Sequence, residues 1–119
     1  MVFEGISKVF SLVEQQQYET IGQFWDEMSA LYGMENLQGL GYSWEGNKMS
    51  YAIGFKSGRI EGCNVSVELP DHGWERAEGK TDDLKQIYDE IYQGGPLKFE
   101  IETFCENGDC QILFYRKTP

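Results

Sequence analysis

The fold class predicted by this sequence is α+β, a β-α-β-β unit occurring twice. Three observations carry it: two segments with apolar side chains at helical spacing, a hairpin pattern after each, and a strand candidate before each. The units recur at an offset of about 61 to 63 residues, repeat one over about 1–60 and repeat two over about 61–119. Such a duplication implies a pseudo-twofold axis. Nothing between the halves has the composition of a flexible linker, so residues 1–119 read as a single domain.

A strand candidate near Ile6–Leu12 comes first. In TIGQFWDEMSALYG, Ile21, Phe24, Trp25, Met28, Leu31 and Tyr32 form an apolar stripe, Thr20 and Gln23 match a capping box, and Gly33 stops the helix. GLGYSW and MSYAIGFK follow as a hairpin turning at Gly46-Asn47. The second strand candidate, near Val65–Glu78, is interrupted at Pro70–Gly73 by a bend or bulge. TDDLKQIYDEIYQGG repeats the helical design with Leu84, Ile87, Tyr88 and Ile91, Thr81 as cap, Asp82 and Asp83 in the first turn, and Gly94 as stop. KFEIETFC and CQILFYRK make the second hairpin, about Asn107-Gly108. That turn sets Cys105 opposite Cys110, where a disulfide is geometrically possible; two reduced, half-buried thiols are the favoured alternative.

Composition narrows the function classes. With 20 Asp+Glu against 10 Lys+Arg the net charge is −10, which repels phosphate backbones and anionic lipid and attracts cations or a basic partner. MVFEGISKVF has neither a basic start nor a long apolar run, and no stretch approaches a membrane span, so a cytoplasmic address is expected. No Cys/His spacing suits a metal, no GxGxxG or Walker sequence implies a cofactor, and no helix-turn-helix is present to read DNA. The one histidine, His72, falls in the turn PDHG and reads as a solvated turn residue.

Strand alternation then sorts side chains by face. In hairpin one, Leu40, Tyr42, Trp44, Met49, Tyr51, Ile53 and Phe55 are expected to meet the helices. Opposite them lie Gly39, Gly41, Ser43, Ser50, Ala52 and Gly54, all small. Glycine weakens a strand, so three on one face imply that something approaches the backbone closely. In hairpin two the expected helix side is Ile101, Thr103, Cys105, Cys110, Ile112 and Phe114; the other side is Glu100, Glu102, Phe104, Gln111, Leu113 and Tyr115. A hollow floor beside a wall of carboxylates and rings predicts a pocket. An ordinary wet sheet face is the alternative.

The twofold β-α-β-β plan, LPDHGW, the helix DDLKQIYDEIY and the strand pair IETF and ILFY resemble the gyrase-inhibitor-like (GyrI-like) domain, which is also the effector-binding domain of AraC-type and MerR-type regulators. The likeness spans nearly the whole chain. It departs in a shorter segment between Phe55 and Val65 and in Tyr115-Arg116, where proline is common. The resemblance implies an SHS2-type duplicated fold: an antiparallel sheet curled about a central cleft, with the helices outside. It implies a standalone binder of lipophilic, often cationic compounds, with a regulatory or drug-sequestering role. The family's Glu-x-aromatic pattern falls on Glu102-Thr103-Phe104, giving Glu102 the cation-pairing role, with Glu100 as its fallback. Trp74 and Tyr115 join Phe104 as the aromatic cage, beside Leu113 and the small residues Gly41, Ala52 and Gly54.

A desolvated carboxylate is costly unless paired, so an empty Glu102 is expected to hold a proton in part or to capture a cation, with aromatic rings adding cation–π attraction. Two other classes stay open. Some members of that family are hydrolases of cyclopropane-bearing, DNA-alkylating natural products, and Glu102 with Tyr115, or Glu100, could activate water or protonate a leaving group. The family name itself reflects inhibition of DNA gyrase, so a protein partner, gyrase or a separate regulator, is the third.

Overall fold

The computed structural model describes residues 1–118 and is α+β, with a seven-stranded antiparallel open sheet and two helices. The strands are β1 (Val2–Ser11), β2 (Leu37–Glu45), β3 (Lys48–Phe55), β4 (Val65–Glu68), β5 (Glu75–Lys80), β6 (Leu97–Phe104) and β7 (Asp109–Arg116). Helix α1 spans Gln17–Tyr32 and α2 spans Leu84–Gln93. Sheet order is β4-β1-β3-β2-β6-β7-β5, so β2 and β6 meet at the centre and each half carries its own hairpin and helix.

Helix α1 begins at Gln17, earlier than the capping box at Thr20 suggests; the Thr20 hydroxyl instead donates to the Gln16 carbonyl at 3.1 Å. Gly33 ends it with φ 84°, its N–H bonded to the Ser29 carbonyl. Thr81 likewise gives no side-chain cap; Thr81–Asp83 form a 3-10 turn leading into α2. Leu31, placed on the apolar stripe, is 71% exposed. At the far end of α2, Arg116 donates to the Ile91 and Gly95 carbonyls at 2.9 and 3.0 Å, placing a cation on the negative end of the helix. That contact ties α2 to the last strand.

Both hairpins differ from expectation by one residue, which turns one strand of each over. In hairpin one, Tyr42 pairs with Ser50 but Glu45 with Lys48, so β2 carries an extra residue, and Ser43 adopts φ 51° there. Gly41 therefore stands opposite Tyr51 and Leu40 opposite Ala52. In hairpin two the loop closes between Cys105 and Asp109, with Gly108 at φ 93°, and Phe104 rather than Cys105 faces Cys110. Cys105 is exposed and Cys110 buried, both as free thiols. A shift of one moves every side chain of the strand to the other face.

The helix side of the sheet consequently holds Gly39, Gly41, Tyr51, Glu100, Glu102, Phe104, Ile112 and Phe114, in register across β3, β2, β6 and β7. Phe24, Trp25 and Met28 of α1 pack on Met49, Tyr51, Ile53 and Phe104; Tyr88 and Ile91 of α2 pack on Leu97, Ile112 and Phe114. The rear face is not wet. Leu40, Ala52, Phe99 and Ile101 are buried there under Phe3 and Leu69, with Val65, Val67, Trp74, Leu113 and Tyr115 around them. The expected single strand over Val65–Glu78 is two strands, β4 and β5, at opposite edges of the sheet, joined by the segment carrying Leu69 and Trp74.

Glycines permit the fold-over of β1, which leaves β3 after Ile6 and pairs with β4 from Gly5 back to Val2. A methyl group at Gly5 would lie 2.6 Å from the Ile53 carbonyl oxygen, and one at Gly54 would collide with the Glu4 carbonyl oxygen. Both obstacles are backbone and cannot rotate away. Gly54→Ala is therefore expected to destabilise the protein by about 2 kcal/mol or more, measured by urea denaturation; an unchanged midpoint would contradict this crossing.

Candidate functional site

Between α1 and α2, over the central strands, lies a cavity of about 420 Å³ whose lining includes Gln17, Tyr18, Gly22, Trp25, Tyr88, Tyr92, Glu100, Glu102 and Phe104. The two helices form its walls and β6 its floor. Glu100 and Glu102 are each only 4% exposed, the only buried charged residues among those described. The glycines explain how they fit. A methyl at Gly41 would stand 2.5 Å from Glu100 Oε1, and one at Gly39 would overlap the Tyr51 hydroxyl. The recess left by those two glycines is thus occupied by Glu100 and Tyr51, and the open space lies above them.

The two carboxylates are not equivalent. The Trp25 indole N–H donates to the Tyr51 hydroxyl at 2.8 Å, and the Tyr51 hydroxyl donates in turn to Glu102 Oε1. Glu100 receives one long hydrogen bond, from the Tyr92 hydroxyl at 3.4 Å. No lysine or arginine pairs with either among the described residues; Lys85 lines the cavity but enters no ion pair. Burial, then the neighbouring Glu102 charge, holds the Glu100 carboxyl well above the usual carboxylate range. Burial also raises Glu102, opposed first by the Tyr51 hydroxyl and then by the nearby Tyr88 hydroxyl. The phenols respond in the same field: Tyr18 is pushed up to about 12 by its burial and by the charges of Asp89, Glu100 and Glu102.

Two buried polar atoms here lack partners, the Tyr88 hydroxyl and Gln17 Oε1. Tyr88 is 4% exposed, and its ring lies near Tyr18 at 6.4 Å and stacks on Tyr92 at 5.8 Å between centroids. Trp25 meets Phe104 edge-on at 4.8 Å. Buried carboxylates, unpartnered polar tips and aromatic walls make a site able to take a flat, positively charged guest.

Of the residues singled out in the sequence, Glu100, Glu102 and Phe104 line this cavity and Gly41 backs it. The others lie elsewhere. Trp74, Leu113, Tyr115 and Ala52 belong to the rear-face cluster, where Trp74 meets Tyr115 at 5.6 Å and bonds the Pro70 carbonyl through its indole N–H. Gly54 serves the β1 crossing. Tyr115 is on the opposite side of the sheet from Glu102, so the Glu102–Tyr115 pair expected for hydrolysis does not form. The aromatic side chains that join Phe104 in lining the cavity are instead Tyr18, Trp25, Tyr88 and Tyr92. Trp25 and Tyr88 had a signal in the sequence, as aromatics on helical stripes whose buried polar tip needs a partner. No group of three or more potential metal ligands occurs among the described residues, and no described helix is long and apolar enough to cross a membrane.

No family model, curated protein or solved structure matches the chain.

Two outcomes follow from this geometry. The native state holds more protons than the unfolded chain at pH values between the ordinary carboxylate pKa and the raised native pKa of Glu100. Its contribution to stability is full below that interval and is lost as pH rises through it. Glu100→Gln should therefore be more stable than wild type near pH 8, where burial penalises the ionised carboxylate. That advantage should shrink toward pH 4, read by urea titrations at both values. Gly22 lies inside α1 and faces the cavity, and a methyl group there would have nothing within 4 Å of it. Gly22→Ala should stabilise by about 1 kcal/mol through helix propensity, seen as a higher Tm.

Proposed function

We propose that this protein binds lipophilic, cationic small molecules in the cavity between its helices, as an effector- or drug-binding domain. The observation that carries this reading is a pair of carboxylates almost fully removed from water and, among the described residues, ion-paired to no protein cation. A buried anion of this kind either keeps a proton or waits for a positive guest, and the aromatic lining suits the second. Glu102, held by the Trp25–Tyr51 chain, pairs the charge; Glu100 supports it; Tyr18, Tyr88 and Tyr92 contact the guest's ring.

The same reading extends to ancestry. Apart from the extra edge strand β4, the order of strands is symmetric about the β2–β6 junction, and α1 and α2 face each other across the cavity. Those features support a duplicated, SHS2-type unit and the likeness to GyrI-like domains, and with that likeness goes a cytoplasmic role as a ligand sensor.

Thermal-shift titration with flat cationic dyes and their neutral analogues tests the reading. Glu102→Gln is expected to weaken cation binding about tenfold, near 1.4 kcal/mol, and to leave neutral ligands within about twofold. Equal weakening of both would remove the charge argument. Mass spectrometry should recover each ligand unchanged; a water-added product would make the protein a hydrolase.

A further inference from the structure

Hydrogen-bond supply in the cavity distinguishes between kinds of cation, granted the binding role proposed above. The four carboxylate oxygens of Glu100 and Glu102 meet two protein donors, the Tyr51 hydroxyl on Glu102 Oε1 and the more distant Tyr92 hydroxyl on Glu100 Oε2. Gln17 Oε1 adds a buried acceptor with no donor at all. With both carboxyls ionised, buried acceptors exceed buried donors among the described residues: the Tyr88 hydroxyl is the one buried donor without a partner, and the half-buried Tyr18 and exposed Lys85 also line the cavity. Leaving buried acceptors bare is expensive, so the guest must bring hydrogens as well as charge.

A quaternary ammonium brings charge alone. It would satisfy the field of the carboxylates and leave Gln17 Oε1 and the remaining carboxylate lone pairs without donors. A planar amidinium or guanidinium brings several N–H groups in one plane, spaced to meet a carboxylate in a two-pronged bond. The two glutamates stand two residues apart on one face of β6, with Gln17 on the α1 wall. An aryl group attached to that cation would lie among Tyr18, Tyr88 and Trp25. A cavity of about 420 Å³ has room for a small aryl cation.

We propose that the site selects aryl amidines and guanidines over quaternary ammonium compounds, binding their N–H groups through Glu100, Glu102 and Gln17. Selectivity arises from the donor deficit, and the shared positive charge does not contribute to it.

Isothermal titration of the full chain near neutral pH with benzamidine and with phenyltrimethylammonium, matched in ring and charge, provides the test. Benzamide serves as the neutral control. Benzamidine should bind at least tenfold more tightly than the quaternary salt. Gln17→Leu should reduce benzamidine affinity severalfold and leave the quaternary salt unchanged, with circular dichroism checking the fold. Equal affinities, or a preference for the quaternary salt, would overturn this inference and leave cation binding intact. If neither cation binds as well as benzamide does, both the inference and the binding role fail.

Discussion

Two carboxylates are kept out of water in this protein with no ion-paired cation among the described residues, and much of the surrounding structure accommodates that fact. Desolvation penalises the charged form of each, and their proximity penalises charging both. The chain answers with hydroxyls: Trp25 orients Tyr51, Tyr51 holds Glu102, and Tyr92 reaches toward Glu100. What is left is an acid pair with one member anchored and the other poorly solvated, a common arrangement where a protein has a use for the difference.

The backbone makes this arrangement possible through small side chains and small irregularities. Gly39 and Gly41 on β2 leave the space into which Tyr51 and Glu100 lean. The bulge at Ser43 brings those glycines to the helix side, and the longer loop between Cys105 and Asp109 does the same for Glu100 and Glu102. On the other face, Gly5 and Gly54 let β1 cross closely over β3, so that Phe3 covers Leu40 and Ala52. With that rear layer sealed, the cavity between the helices is where the sheet's polar groups meet open space.

Both helices, both hairpins and the first strand were legible in the sequence because hydrophobic spacing and turn residues act locally. Faces were less legible. Alternation gives only relative phase along one strand, and a single extra residue at Ser43 or in the loop after Phe104 reverses it. Because both hairpins carry such a shift, glycines and glutamates still share a face, but the face is the one beneath the helices. Trp74 and Tyr115 were drawn to the site by likeness of pattern, whereas packing against Phe99 puts them behind it. Tyr88 was hidden because, on an apolar stripe, a tyrosine that lines a cavity looks the same as one that fills a core, and Tyr18 because α1 starts before the Thr20 capping box. The break within Val65–Glu78 was signalled by Pro70–Gly73, but the placement of its two pieces at opposite sheet edges depends on long-range pairing.

Carboxyl-carbon NMR of Glu100 and Glu102, titrated with and without a saturating aryl cation, tests the central claim most directly. Desolvation without a partner predicts that Glu100 in the free protein remains protonated well above the ordinary carboxylate range, and that the cation drives it to ionise at lower pH. Both resonances titrating together in the ordinary range, unmoved by the cation, would contradict it.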